Sequence, residues 1–412
     1  MSDAIPPTSD ELSFGQRLKV LRLRRGMTRE VLAGLVGMSP AWVKSVESNH
    51  IGMPKLSKLM RIAEALRIRD LSQLTGGQSI RVEQFSGPGH ARLPEVRAAL
   101  NAFTVLPDRE AAAPADLRAR LARAWAARHA SPYHRDVVGE LLPSLIADAQ
   151  LAVRQAESPS SRHAAQALLS EVYSLAQFFV AYQPVADLLW RVSERGMMAA
   201  QESGDPHAIG VASWLAAQAH RDAGDWEAAD AVNLGAATYL EPLVPDAPVE
   251  VHAIWGALLF EAAYTAAQRG EAGVAWGYWD KANAVAQRLP SSYYHPVTSF
   301  SRAIMSAHAV TVAVELHQGG ESVRQAQGAE ASVIPSRPRR ARHRIEQARA
   351  FYLDRQPEVA VATIDSAYEA APETVAYNSY ARRILLEELD VRNAPRRERA
   401  AVTAEKIGLL AS

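Results

Sequence analysis

The chain has 412 residues, 48% of them hydrophobic, and its 45 Lys and Arg balance its 45 Asp and Glu. That length predicts two to three domains, and that composition supplies a large core. There is no cysteine, which excludes disulfides, cysteine-held zinc, iron–sulfur clusters and a thiol nucleophile; no run of about 18 apolar residues marks a membrane span, so a soluble, cytoplasmic protein is expected.

Residues 1–12 are polar, carry a proline pair and are expected to form a disordered arm. Residues 13–75 hold a regular pattern of five short helices. Phe14, Leu18 and Leu21 recur at helical spacing and stop near Gly26. Thr28 caps a second helix with Val31, Leu32 and Leu35 on its inner face, and Gly37 ends it in a sharp turn. Ser39 caps a third, with Pro40 at its first position and Trp42, Val43 and Val46 on its apolar side. Pro54 precedes a fourth, which carries Leu56, Leu59, Ile62, Ala63 and Leu66, and Asp70 caps a short fifth.

Two helices joined by a glycine turn, with another crossing in front, describe a helix-turn-helix. Its second member, residues 39–48, would be a recognition helix, its N-terminal residues at base edges in the major groove of double-stranded DNA. Charge supports this. From Phe14 to Arg69 there are twelve Lys and Arg against three Glu, a net of +9. The whole chain is neutral, so the remainder sums to −9. A basic head on an acidic body is the asymmetry expected of a nucleic-acid binder. The competing reading is a helical module for protein contact.

The stretch from Phe14 to Leu74 resembles the Xre/Cro-like, phage-repressor type of helix-turn-helix. The resemblance implies roles for single residues. Arg22 and Glu47 stand where that family places a buried ion pair joining the first and third helices. Arg29 takes the place of a glutamine that clamps a phosphate. Pro40, Ala41, Lys44 and Ser45 match base-facing positions, and Ser48, Asn49 and Lys55 match positions that approach the backbone. Pro40 and Ala41 offer no hydrogen bond, so base reading would rest on Lys44, Ser45, apolar contact with thymine methyls and DNA shape. With the caps Thr28 and Ser39, these residues make up the expected DNA-binding set.

Four Gly and two Pro between Thr75 and Pro94 argue for a linker, set at 76–92. Within it Ile80, Val82 and Phe85 alternate, but a plain linker is the preferred reading. Residues 93–412 show long Ala- and Leu-rich segments separated by short Pro- and Gly-marked breaks and no strand pattern, so the fold class is all-α. Three helix pairs share a register of small residues: Ala217, Ala229 and Ala236; Ala263, Ala275 and Ala282; Ala348, Ala360 and Ala367. A weaker one uses Ser174, Ala186 and Ser193, and Gly319-Gly320 marks a further degenerate one. Small residues at such points let antiparallel helices approach closely and the next pair stack on them, as in an α-solenoid.

Nothing in the chain reads as an enzyme. No phosphate loop, HExxH, GxSxG or post-strand GxGxxG is present, and no cofactor or metal is expected. His129 and His134 read as exposed or capping, and the cluster Glu387, Glu388 and Asp390 as solvated surface. The run from Arg337 to Arg344 reads either as a grip on an anion or as a solvated loop entering a helix. Solvation is the preferred reading, because positive charge at a helix start is unfavourable. The shared register turns Trp214, Gln218, Arg221, Phe260, Tyr264, Gln268, Arg349 and Tyr352 toward the concave side of the stack. Rings beside amides and guanidinium groups suit a peptide or small-molecule effector; packing between repeats is the equal alternative.

The body resembles divergent tetratricopeptide repeats. Joined to a repressor-type head, it is similar to the pheromone-sensing regulators of Gram-positive bacteria and to the broader set of Xre-type regulators with helical-repeat bodies. The resemblance implies a sequence-specific transcriptional regulator, a homodimer with one head per half-site, and an effector bound by the body. In such grooves peptide backbones are commonly held by Asn, and no Asn falls on the concave positions named. The rival function is a protein-interaction scaffold with only a minor DNA contact.

Overall fold

A computed structural model describes residues 12–54, 56–66, 68, 71–76, 89–102 and 109–410. Residues 1–11 of the expected arm, Lys55, Asp70 and the Ile80, Val82 and Phe85 alternation lie outside the described residues. The described residues form helices and no strand. No described helix is long and apolar enough to cross a membrane. The chain divides into two units, one ending at Pro88 and one beginning at Gly89.

The first unit holds α1 (Phe14–Arg24), α2 (Arg29–Val36), α3 (Pro40–Glu47), α4 (Leu56–Ala65) and α5 (Ser72–Thr75). Local chemistry sets most of their ends. Ser13 and Gln16 form a reciprocal capping box on α1. The Thr28 hydroxyl accepts from Val31 N–H at 3.2 Å and the Ser39 hydroxyl from Trp42 N–H at 3.1 Å. Gly37 ends α2 at φ 67°, a left-handed position that suits glycine. Leu18, Leu32, Val36, Val43, Val46 and Ile62 meet in one core.

The second unit begins with α6 (Leu93–Asn101), α7 (Pro114–Ala130) and α8 (His134–Arg154). Helix pairs follow: α9 (Pro159–Val180) with α10 (Ala186–Ser203), α11 (Pro206–Asp222) with α12 (Trp226–Leu240), and α13 (Val249–Arg269) with α14 (Ala272–Arg288). Next come α15 (Met305–Glu315) with α16 (Gly319–Gly328) and α17 (Arg337–Leu353) with α18 (Pro357–Ala370). The short α19 (Pro372–Ala376) leads to α20 (Ser379–Leu389) and α21 (Ala394–Lys406). The first helix of each pair packs on the first helix of the next, from α9 through α11, α13 and α15 to α17. These helices form the inner layer of a solenoid.

The register residues explain the close pairing. Ala217, Ala229, Ala263, Ala275, Ala282, Ala348, Ala360 and Ala367 are fully buried. Ala186 is a correction: it is exposed at the first position of α10. Its pair is joined by residues 181–185, a longer turn than the 270–271 or 223–225 of the later pairs. The extra residues move the second helix out of register. Gly319 and Gly320 open α16, the second helix of the α15–α16 pair.

The solenoid curls until its ends meet. α17 packs on α7. His129 on α7 lies 2.8 Å from the Ser336 hydroxyl and from the Pro296 carbonyl. Glu373 at the start of α19 accepts from Arg135 N–H at 2.6 Å and from Asp136 N–H at 3.3 Å. It also lies 3.0 Å from His90 Nε2. Residues 89–92, placed in the linker by composition, are therefore part of this unit.

Glycine 256 on α13 shows how tight the packing is. A Cβ there would run into the Phe300 ring and come within 2.9 Å of Val285 Cγ1, both buried. Gly256→Ala is expected to cost about 1–3 kcal/mol by overpacking, read as a fall in the unfolding midpoint of the full chain.

Candidate nucleic-acid interface

The geometry of α3 follows from its sequence. Val43, Val46 and Glu47 face the core, and Ala41, Lys44 and Ser48 are exposed on the opposite side, with Ser45 half-buried beside them. Spacings of three and four residues put these four in one stripe. Pro40 is exposed at the helix start, and Asn49 follows the helix in a left-handed conformation at φ 60°. Asn49 is held by Ser13 at 2.9 Å. Thr28 and Ser39 each spend the hydroxyl on a cap. Exposed Lys19, Arg24, Arg25, Lys44 and Lys58 give the head its basic surface.

A buried charge cluster fixes α3 against α1. Glu47 receives Arg22 Nε at 2.5 Å and Nη2 at 3.2 Å, and Arg29 Nε at 2.7 Å. Its side chain is 1% exposed. Burial pushes the Glu47 carboxyl up, but the hydrogen bonds and charges of Arg22 and Arg29 outweigh it and hold the group below its ordinary value. Arg22 also donates to the Met27 carbonyl at 2.6 Å. Arg29 thus has a role the sequence did not reveal. Its Nε belongs to this cluster, while its side chain keeps 37% exposure and terminal nitrogens that can meet a phosphate.

In the second unit the concave positions separate into two groups. Trp214, Gln218, Arg221, Phe260 and Tyr264 line a cavity of about 160 Å³ on the inner layer of the solenoid. Gln268, Arg349 and Tyr352 do not line it. Arg349 is neutralised by Glu315 and Glu346, each at 2.7 Å. The Tyr352 hydroxyl donates to Glu388 at 3.1 Å, and Gln268 lies at the far end of α13. Arg221 pairs with Glu261 and Asp222 beneath the Tyr264 ring, 4.0 Å from its centroid. Asn378 also borders the cavity, with its side chain capping α20 through Ala381 N–H at 3.0 Å.

Further residues are corrected by their partners. Glu388 is buried, not solvated, and bonds Arg396 at 2.7 Å. His134 is buried against Thr374 at 3.0 Å, and His129 bridges two distant segments. The run from Arg337 is no solvated loop. It forms the first turns of α17, and Arg339 and Arg342 enter the cavity. Positions 339, 342, 346 and 349 recur at three and four residues, so one charged face was readable from spacing. Arg128 and Arg135 gave no such signal.

Residues 13–73 match the family described as "Helix-turn-helix domain". The HTH-type transcriptional repressor RghR of Bacillus subtilis (strain 168) is 39% identical over 56 residues, which make up 14% of this chain and 42% of that protein. The chain therefore spans less than half the length of this relative. Among solved structures, Bacillus thuringiensis PlcR in complex with the peptide PapR7 and DNA matches over 86% of this chain and 99% of that one. Sequence identity is 11% and the TM-score 0.29. The first unit is a helix-turn-helix domain, and the second is an all-helical body.

Proposed function

We propose that the chain is a sequence-specific DNA-binding transcriptional regulator of the Xre/Cro-like type. The observation that carries the reading is the stripe of exposed Ala41, Lys44 and Ser48 with half-buried Ser45 on a capped helix held by a buried ion cluster. A helix fits the major groove, and the surrounding cations neutralise phosphates. The domain match and the repressor relative support it. The body reads as tetratricopeptide-like, because paired helices meet at buried alanines and stack through their first members. It would join two heads into a homodimer able to read a palindrome and hold an effector in its cavity. An effector acts if it binds one arrangement of the heads better than another.

Two variants separate the roles. Lys44→Ala with Ser45→Ala is expected to lower discrimination between operator and random DNA by about 1–3 kcal/mol for each base-reading side chain removed. Arg29→Ala is expected to weaken binding to all sequences alike and to flatten the salt dependence, since a phosphate contact carries no base information. Binding measured across a salt series checks both. If Arg29→Ala changed sequence preference alone, the assigned roles would be wrong.

A further inference from the structure

We propose that the cavity of the second unit is a binding site for a small organic anion with an aromatic or apolar body, its carboxylate or phosphate held by Arg128 and Arg339. The inference rests on reading the body as an effector-binding module and names the class of effector.

Charge is the first reason. Five arginines line the cavity against three carboxylates. Two arginines have their own partners: Arg221 pairs with Glu261 and Asp222, and Arg342 lies 2.6 Å from Glu346. Arg135 donates to the carbonyls of Phe179 and Ala181, and its buried Nε has no partner among the described residues. Arg128 and Arg339 remain. Among the described residues, no carboxylate forms an ion pair with either. Arg128 rests on the Phe178 ring, 4.1 Å from its centroid. Burial, with Arg135 and Arg339 adding like charge, pushes the Arg128 guanidinium down to about 10, and burial likewise lowers Arg339. Both side chains are half-buried, and a cation partly withdrawn from water with no counter-charge is unfavourable. A bound anion would remove that cost.

The remaining wall gives the second reason. Phe178, Trp214, Phe260 and Tyr264 present rings to the same space. A purely inorganic anion would leave that surface wet. A flat apolar body joined to the charged head covers it, in the usual pattern of apolar walls with a few fixed polar groups.

The test titrates the full-length protein calorimetrically at constant ionic strength with three probes: inorganic phosphate, phenyl phosphate and phenylacetate. Saturable binding of phenyl phosphate or phenylacetate, at least about tenfold tighter than inorganic phosphate, is expected. Whichever aromatic probe binds tighter identifies the head group. Arg128→Met and Arg339→Met should each weaken binding at least about tenfold, and Arg339→Lys should recover part of it. Without any probe, Arg339→Met should melt no lower than the parent, because its charge lacks a partner. Absence of saturable binding, or affinity unchanged in both methionine variants, overturns the proposal. So does a ligand-free Arg339→Met that melts well below the parent. Anion binding that leaves DNA affinity unchanged keeps this site and sinks the sensing role alone. DNA binding without anion binding sinks this site and leaves the DNA-binding reading standing.

Discussion

Glu47→Ala is expected to destabilise the helix-turn-helix unit by about 3–5 kcal/mol, the range for removing one member of a buried ion pair. The substitution strips Arg22 of both hydrogen bonds to the carboxylate and leaves it buried with one carbonyl partner, Met27. It also frees Arg29 from α3. A domain this small holds only about 5 kcal/mol in total, so the unit should be largely unfolded near room temperature. Glu47→Gln, which keeps acceptor and shape but not charge, should lose less. Denaturant unfolding followed at Trp42, on α3, reads the effect. A head transition that stays in place would mean that the Arg22–Glu47 pair does not hold α1 to α3.

The second large effect is the loss of stability in acid. Burial, with added repulsion from Arg128, pushes His129 down to about 4. Burial pushes His343 to about 4 as well, and takes His134, His295 and His308 well below their ordinary value. The folded body therefore keeps these rings neutral, whereas the unfolded chain binds protons near pH 6.5. Above that pH the histidines cost nothing. As pH falls from about 6.5 toward 4 the unfolded state gains protons that the fold refuses, and stability is lost, by roughly 3 kcal/mol each for His129 and His343. Buried Asp148 and Glu315 are held below the usual carboxylate range by arginines that outweigh burial. Their contribution disappears only at lower pH. The denaturation midpoint of the body should thus drop between pH 6.5 and 5, before carboxylates titrate. A flat midpoint across that window would contradict the buried neutral histidines.

What could be read from the sequence was local. The head was legible because Thr28, Gly37, Ser39 and Pro40 each signal a helix end through short-range chemistry. The later helix pairs were legible because buried alanines repeat at fixed offsets. Ala186 failed because the register assumed a short turn and the chain inserts a longer one. Glu388 and Arg339 failed for a different reason. Whether a charge is solvated depends on what the chain brings to it from far away, and neither Arg396 against Glu388 nor the closure of α7 on α17 has a local sign. Five of the eight concave positions line the cavity. Arg221, Arg339 and Arg342 stand on the register helices α11 and α17, but Arg128 and Arg135 come from α7 and α8, which the register did not include, so it gave the aromatic wall and only part of the cationic one.

Selection of bound sequences from a random DNA pool, with the full-length protein near physiological salt, tests DNA reading most directly. The expected result is one enriched palindrome with half-sites about one helical turn apart, lost when Lys44 and Ser45 are replaced by alanine. Recovery of no enriched sequence, with binding that responds only to salt, would contradict a sequence-specific regulator.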